Sequence, residues 1–207
     1  MRVVVVGSGG HGAVVLDALL RMREAGADMV PVGIVSRRDH GSEILGVRVL
    51  GDHDALETME HDAVVLAIGD NRTRCRVAQE LSQSAFCSVV HPAAVVAPDV
   101  EIGPGAVVLA GAVVNTRTRL GAHCILNTGC TVDHDCEIGP FCHVAPGVHL
   151  AGNVRLEQGA FMGIGSCAVP GVRVGQWAVA GAGAAVVADV ADHATVTGVP
   201  ARTTSQS

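Results

Sequence analysis

The stretch from Gly121 to Val144, GAHCILNTGCTVDHDCEIGPFCHV, decides the fold. Within it Leu126, Val132, Ile138 and Val144 recur every six residues, and Cys124, Cys130, Cys136 and Cys142 stand two residues before them. Outward in both directions the register holds. Every sixth residue from Val90 to Val186 is Val, Ile, Leu, Met or Ala, and every sixth from Ser88 to Ala184 is Ser, Ala, Val, Thr or Cys. A helix repeats its apolar residues every three to four positions and a half-buried strand every two. A period of six instead fits a short strand that turns a corner and repeats, as in a parallel β-helix of hexapeptide repeats. Three hexads close one triangular coil, so residues eighteen apart stack at the inter-strand spacing of about 4.8 Å.

Composition agrees with a narrow prism. The 207 residues include 26 glycines, three Phe, one Trp and no Tyr. Such an interior has room for Val, Ile, Leu, Ala and Cys, and its corners favour Gly. The net charge of −6, with no basic run, argues against a nucleic-acid groove. No apolar run reaches the roughly 20 residues of a membrane span. The opening MRVVVVGSGGHG passes from strand to turn without the pattern of a signal peptide, so a cytoplasmic protein is expected. The four cysteines spaced by six lie in the inward small-residue column, where a thiol acts as a small apolar group rather than a metal ligand or half of a disulfide.

Residues 1–90 read differently. Arg2–Val6 is a buried-strand run, followed by the glycine turn Gly7 to Gly12. A helix is expected from about Ala13 to Ala25, burying Val14, Val15, Ala18 and Leu19. Val30–Val35 reads as a second strand, Gly46 to Gly51 as a short extended piece, and Asp54 to Met59 as helical. Asp62 to Ile68 is a third strong strand, Asn71 to Leu81 a helix capped by Asp70 or Asn71, and Phe86 to Val90 a last strand. Alternating strands and helices imply a small Rossmann-like α/β domain with a parallel sheet. The chain then divides into an α/β domain over 1–90 and a β-helix with its tail over 91–207.

In such a sheet ligands bind beyond the carboxyl ends of the strands. Two loops fall there, Gly7 to Gly12 with the spacing G-x-G-x-x-G, and Gly69 to Asn71. A glycine turn lets backbone N–H groups approach a phosphate at a helix N-terminus. The second strand ends in Ser36-Arg37-Arg38, not in the acidic residue that grips a nicotinamide ribose. The reading favours another nucleotide or pyrophosphate, with a purely structural turn as the alternative.

In the β-helix the informative residues are polar groups that the repeat does not need. His134 lies two residues after inward Val132, at an outward corner, between Asp133 and Asp135. His123, His143 and His149 are near in sequence. Gly152, eighteen residues on, stacks upon His134. A histidine beside a carboxylate, facing a glycine that exposes its N–H, makes a base and an oxyanion donor. The four histidines are separated by 11, 9, 6, 15, 20 and 26 residues, so no two stack within one chain. That weakens a zinc reading and leaves only a metal shared between subunits. Inward thiols are inert as nucleophiles. Direct attack of a substrate on an activated donor, with histidine as base, remains.

These motifs resemble a known family. Gly7 to Gly12, Ala67-Ile68-Gly69-Asp70-Asn71, the string Asn127 to Gly139 around His134, His143-Val144-Ala145-Pro146-Gly147, Ala151 to Val154 and Gly198-Val199-Pro200-Ala201-Arg202 are similar to the bacterial sugar acetyltransferases with a left-handed β-helix. These act on nucleotide-linked 4-amino sugars or on sialic acids. The resemblance covers nearly the whole chain and is most specific around His134. It implies a homotrimer with acetyl-CoA bound between neighbouring β-helices. It implies His134 as general base and Asp135 as its partner, His143 near the thioester of acetyl-CoA, and the Gly152 N–H on the carbonyl oxygen. Ile164 and Ala182 match positions lining the acetyl-CoA groove, and Gly9, Gly10, His11 and Gly69 positions holding the nucleotide sugar. Uridine-binding members often carry an acidic residue and Lys after the second strand, where this chain has Ser36-Arg37. UDP, GDP and dTDP therefore all stay open.

The leading expectation is an acetyl-CoA-dependent N-acetyltransferase of a nucleotide-linked amino sugar that uses no metal. The rivals are O-acetylation of a sialic or related sugar, a non-catalytic nucleotide-sugar-binding subunit, and a metal-dependent hydratase.

Overall fold

The computed structural model describes residues 1–206 and separates into two compact units that part between Pro92 and Ala93. In the first unit the sheet runs β3-β4-β2-β1-β5, formed by β1 (Arg2–Val6), β2 (Val30–Val35), β3 (Glu43–Ile44), β4 (Val47–Gly51) and β5 (Ala63–Leu66). Strands β1, β2, β4 and β5 pair in parallel, while β3 meets β4 antiparallel. The sheet is thus not wholly parallel, because the two-residue turn Leu45-Gly46 leaves no room for a crossover. Val3 to Val6 and Ala63 to Leu66 are buried throughout, as runs covered on both faces must be.

Helix α1 (Gly10–Glu24) starts three residues before the expected Ala13, because the Gly9 carbonyl already accepts the Ala13 N–H at 3.1 Å. Its buried stripe is Gly12, Val15, Leu16 and Leu19, with Ala18, at the i, i+3, i+4, i+7 spacing of one helix face. Val14, expected inside, is exposed. A short helix α2 (Ala55–Thr58) and α3 (Asn71–Glu80) complete the unit, and the Asp70 carboxylate caps α3 by accepting the Thr73 N–H at 2.7 Å. The expected last strand, Phe86 to Val90, is reduced to Val89–Val90, with Phe86 forming a single bridge to Val64.

The second unit is a parallel β-helix of two-residue strands in three ladders. One ladder stacks Val107–Val108, Ile125–Leu126, His143–Val144, Phe161–Met162 and Val179–Ala180, then Ala194–Thr197, on which Arg202–Gln206 turns back antiparallel. The next stacks Val95–Val96, Val113–Val114, Thr131–Val132, His149–Leu150, Cys167–Ala168 and Ala185–Val186. The third stacks Glu101–Ile102, Arg119–Leu120, Glu137–Ile138, Arg155–Leu156 and Arg173–Val174. Partners between the two-residue strands are eighteen residues apart, as in Val132↔Leu150 and His143↔Phe161, and the spacing shortens to sixteen where Val179 meets Thr195 in the last strand of the first ladder. Cys124, Cys130, Cys136 and Cys142 are fully buried and form no disulfide. Each inward Leu or Val removed from water contributes about 1.5–3 kcal/mol, so the column repeated over the coils is what holds the prism together.

A third column, not singled out in the sequence, forms the corners. Every sixth residue from Gly105 to Gly183 has a positive φ. Glycine accepts this conformation without cost, but Arg117, His123, Asp135, Phe141, Asn153 and Trp177 adopt it too. Non-glycine residues held there cost roughly 1–2 kcal/mol each, and Arg117 and Asp135 belong to the candidate site.

Candidate active site

His134 stands at the corner that follows Thr131–Val132. Its Nδ1 is 2.7 Å from Asp135 Oδ2, and its backbone N–H donates to Asp133 Oδ1 at 2.8 Å. The left-handed backbone of Asp135, φ 59°, turns the carboxylate back onto the neighbouring ring. On the next coil lies Gly152. A Cβ there would come within 2.6 Å of His134 Cε1 and 2.7 Å of Nε2, so the imidazole keeps this place against the backbone of the next coil only because residue 152 has no side chain. Among the described residues neither His134 Nε2 nor the Gly152 N–H has a hydrogen-bond partner in the chain. A ring nitrogen and a backbone donor on adjacent coils are thus left without partners among the described residues.

Sequence reasoning missed the residue on the other side of Asp135. Arg117, one coil below, donates through Nε to Oδ1 at 2.6 Å and through Nη2 to Oδ2 at 2.8 Å. That guanidinium first, and the imidazole second, hold the Asp135 carboxyl far below the usual carboxylate range. Asp99, a further coil down, accepts from the Arg117 N–H and from Thr116 Oγ1. The signal was present: 99, 117 and 135 are spaced by eighteen, the coil period.

His143 is elsewhere. It opens a strand of the first ladder, largely buried, with Nε2 3.1 Å from Asn127 Nδ2 and its ring edge-on to Phe161. Ile164 and Ala182 lie on the corner that follows that ladder and are exposed, Ile164 by 59%. The ladder Thr131–Val132, His149–Leu150, Cys167–Ala168 runs between that corner and the corner of His134. A single prism therefore joins His134, Asp135 and Gly152 in one site and leaves His143, Ile164 and Ala182 outside it. The other two histidines have structural partners: His123 stacks on Phe141 with ring centres 5.1 Å apart, and His149 Nδ1 is 2.9 Å from Thr131 Oγ1. Among the described residues no group of three or more His, Cys, Asp or Glu is arranged to hold a metal.

In the α/β unit Gly9, Gly10, His11, Ser36, Arg37 and Gly69 all line one cavity of about 550 Å³. The glycine motif splits in two. Gly7, at φ +121°, would place a Cβ 2.7 Å from the Ala67 carbonyl oxygen, and a Cβ on Gly12 would collide with the Gly7 carbonyl. Those two are structural. Gly9 and Gly10 have open space where a Cβ would be, at the N-terminus of the fifteen-residue α1, whose first turn carries no acid. Such a terminus favours an anion. Ser8, Asp39 and Arg74 also escaped the sequence reading. Ser8 Oγ is 2.8 Å from both Ser36 Oγ and Asp39 Oδ2. Fully buried Arg74 donates to the Ile68 and Gly69 carbonyls and to Asn71 Oδ1, which fixes the second loop. Burial, with the Arg74 charge, pushes His11 down to about 4. Arg37 is tied to Asp52 at 3.0 Å.

The family described as PglD N-terminal domain matches residues 2–81. No match was found among curated proteins. Among solved structures, PerB from Caulobacter crescentus, in complex with CoA and GDP-perosamine, is 37% identical, with TM-score 0.90 over 99% of this chain and 98% of that one. The acetyltransferase domain of PglB from Neisseria gonorrhoeae FA1090, in complex with acetyl coenzyme A, is 35% identical, with TM-score 0.90 over 98% of both chains. WeeI from Acinetobacter baumannii AYE is 25% identical, with TM-score 0.85 over 98% of this chain and 100% of that one. Perosamine N-acetyltransferase from Caulobacter crescentus shares both units and 37% of aligned residues with the chain, with TM-score 0.91 over 99% of this chain and 97% of that one, and the chain belongs to the acetyl-CoA-dependent, left-handed β-helix N-acetyltransferases of nucleotide-linked amino sugars.

Proposed function

We propose that the protein moves the acetyl group of acetyl-CoA onto the amine of a nucleotide-linked 4-amino sugar by direct attack, with His134 as general base. The observation that carries this is the corner arrangement: Nδ1 held at 2.7 Å by Asp135, Nε2 without a partner among the described residues, and the ring lying on Gly152. Asp135 fixes the tautomer with its hydrogen on Nδ1. The amine nitrogen attacks the thioester carbon, a C–N bond forms, and His134 Nε2 takes the amine proton. The carbonyl oxygen gains charge beside the Gly152 N–H. Collapse breaks the C–S bond, and the proton passes from His134 to the departing sulfur.

His143, Ile164 and Ala182 lie away from this corner. A site that uses all of them needs a second prism against the first, which supports a homotrimer with acetyl-CoA between subunits. Exposed Ile164 suits such a contact. The cavity around Gly9, Gly10, His11, Ser36, Arg37 and Gly69 would hold the nucleotide sugar. The relatives solved with GDP-perosamine make a GDP-linked amino sugar the first to try. Buried thiols that form no disulfide suit a reducing cytoplasm.

The test is thiol release from acetyl-CoA with UDP-, GDP- and dTDP-linked 4-amino sugars. Turnover is expected with at least one, and His134→Ala should lose about 10²–10⁴-fold in kcat while acetyl-CoA still binds. Wild-type turnover in that variant removes His134 from the mechanism.

A further inference from the structure

Three successive coils carry Asp99, Arg117 and Asp135 at equivalent corner positions, and His134 adjoins the last. Arg117 and Asp135 share the left-handed conformation, φ 58° and 59°. Their side chains therefore leave the prism in the same direction, one coil apart, and meet as a two-pronged pair. Asp99 Oδ2 accepts the Arg117 N–H at 3.0 Å and anchors the arginine backbone from below. Both oxygens of Asp135 are thus engaged by Arg117, and Oδ2 also faces His134. A two-pronged arginine fixes the plane of a carboxylate as well as its charge.

We propose that Arg117 is a positioning residue for the catalytic pair: it sets the plane in which Asp135 Oδ2 meets His134 Nδ1, and it competes with the imidazole for the carboxylate's negative charge. The proposal rests on the reading of His134 as the base. A lone Asp135 would draw a proton onto the ring, and a protonated ring cannot accept one from the amine. Arg117 opposes that by shielding the charge. Stability does not explain the pair, since Arg117 is 63% exposed and Asp135 31%, and exposed ion pairs contribute about 0–1 kcal/mol.

The other charges near the ring are accounted for. Asp133 accepts the His134 N–H and an Asn115 amide hydrogen. Glu137, on the third ladder, is shared between Arg119 at 2.7 Å and Arg155 at 2.9 Å. Gly152 and Asn153 bring no charge from the coil above, and the Asn153 N–H donates to the His134 carbonyl. Arg117 is the cation that touches Asp135 directly.

The experiment is the pH dependence of kcat/KM, by thiol release, for the full chain as wild type, Arg117→Ala and Arg117→Lys. In Arg117→Ala the acid limb should move up by about one pH unit, so that its rate falls roughly tenfold further at pH 6 than at pH 9, where only the loss of the fork remains, as in Arg117→Lys, and the KM for acetyl-CoA is unchanged. Arg117→Lys keeps a charge but loses the fork. Its limb should stay nearer wild type while its rate falls at every pH. An unmoved limb in Arg117→Ala, or a loss equal at all pH values, overturns the proposal, because a merely structural arginine would act that way. Arg117→Gln repeats the test if the alanine variant does not fold. His134→Ala, run in parallel, separates the two readings. If it is active, the base assignment falls. If it is inactive beside an unmoved limb, only the role of Arg117 falls.

Discussion

Replacing Gly152 by alanine adds one methyl group at the point where ring and backbone touch. Its Cβ would be 2.6 Å from His134 Cε1, 2.7 Å from Nε2 and 3.1 Å from Nδ1, with no other heavy atom among its three nearest neighbours. Non-bonded carbons rest at about 3.5–4.0 Å, so the imidazole must retreat by roughly 1 Å. Gly152 is outside the positive-φ set, so alanine introduces no backbone strain, and the clash falls on one movable side chain. The fold should survive. The ring cannot retreat without stretching or turning its 2.7 Å contact to Asp135. A misplacement of about 1 Å at a reacting group costs on the order of 10²-fold, or about 3 kcal/mol in the barrier. Alanine keeps the backbone N–H, so the loss reports on the ring and not on the oxyanion donor proposed there. The assay is kcat by thiol release, with melting temperature and the KM for acetyl-CoA as controls. In a His134→Ala background the same substitution should cost nothing further, as expected when two changes act on one group. A Gly152→Ala enzyme with kcat within threefold of wild type would refute the idea that the imidazole works from this position.

Two predictions concern chemistry away from that corner. Burial pushes the Cys130 thiol up to about 12, and the Cys87 and Cys136 thiols up to about 11. Iodoacetamide at pH 8 should modify exposed Cys167 first and half-buried Cys75 more slowly; labelling of Cys124, Cys130, Cys136 or Cys142 in the native protein would contradict the inward register. His11 is held at about 4, below the ordinary value of 6.5, by burial and then by Arg74. The unfolded chain therefore binds a proton that the folded chain refuses. The stability linked to His11 is fully present above about pH 6.5 and is lost as pH falls to about 4, a difference of about 3 kcal/mol. Urea unfolding at pH 7.5 and 4.5 should show a larger acid loss for wild type than for His11→Gln, and equal losses would dismiss it.

Legibility followed periodicity. The prism, its inward cysteines and the stacking of Gly152 on His134 could all be read from a period of six and its multiple of eighteen. The α/β unit was less open. Its strand runs were clear, but the hairpin between β3 and β4 and the early start of α1 depend on tight turns that leave little trace in sequence. The glycine motif was read as one signal. In the structure Gly7 and Gly12 serve packing, while Gly9 and Gly10 face the cavity. Spacing alone cannot separate the two, because both put glycine at a turn.

By itself the sequence determined which residues face inward, which stack, and that His134 stands outside beside Asp135. The physical reason is that hexads fix direction: a side chain six residues on points the same way relative to its face, whatever its identity. Only the tertiary structure decided which groups touch. Arg117 reaches Asp135 because two left-handed corners one coil apart aim their side chains together. His143 is kept from His134 because a whole ladder and its corner lie between them. Those contacts depend on backbone angles and distances across coils, which no repeat period encodes.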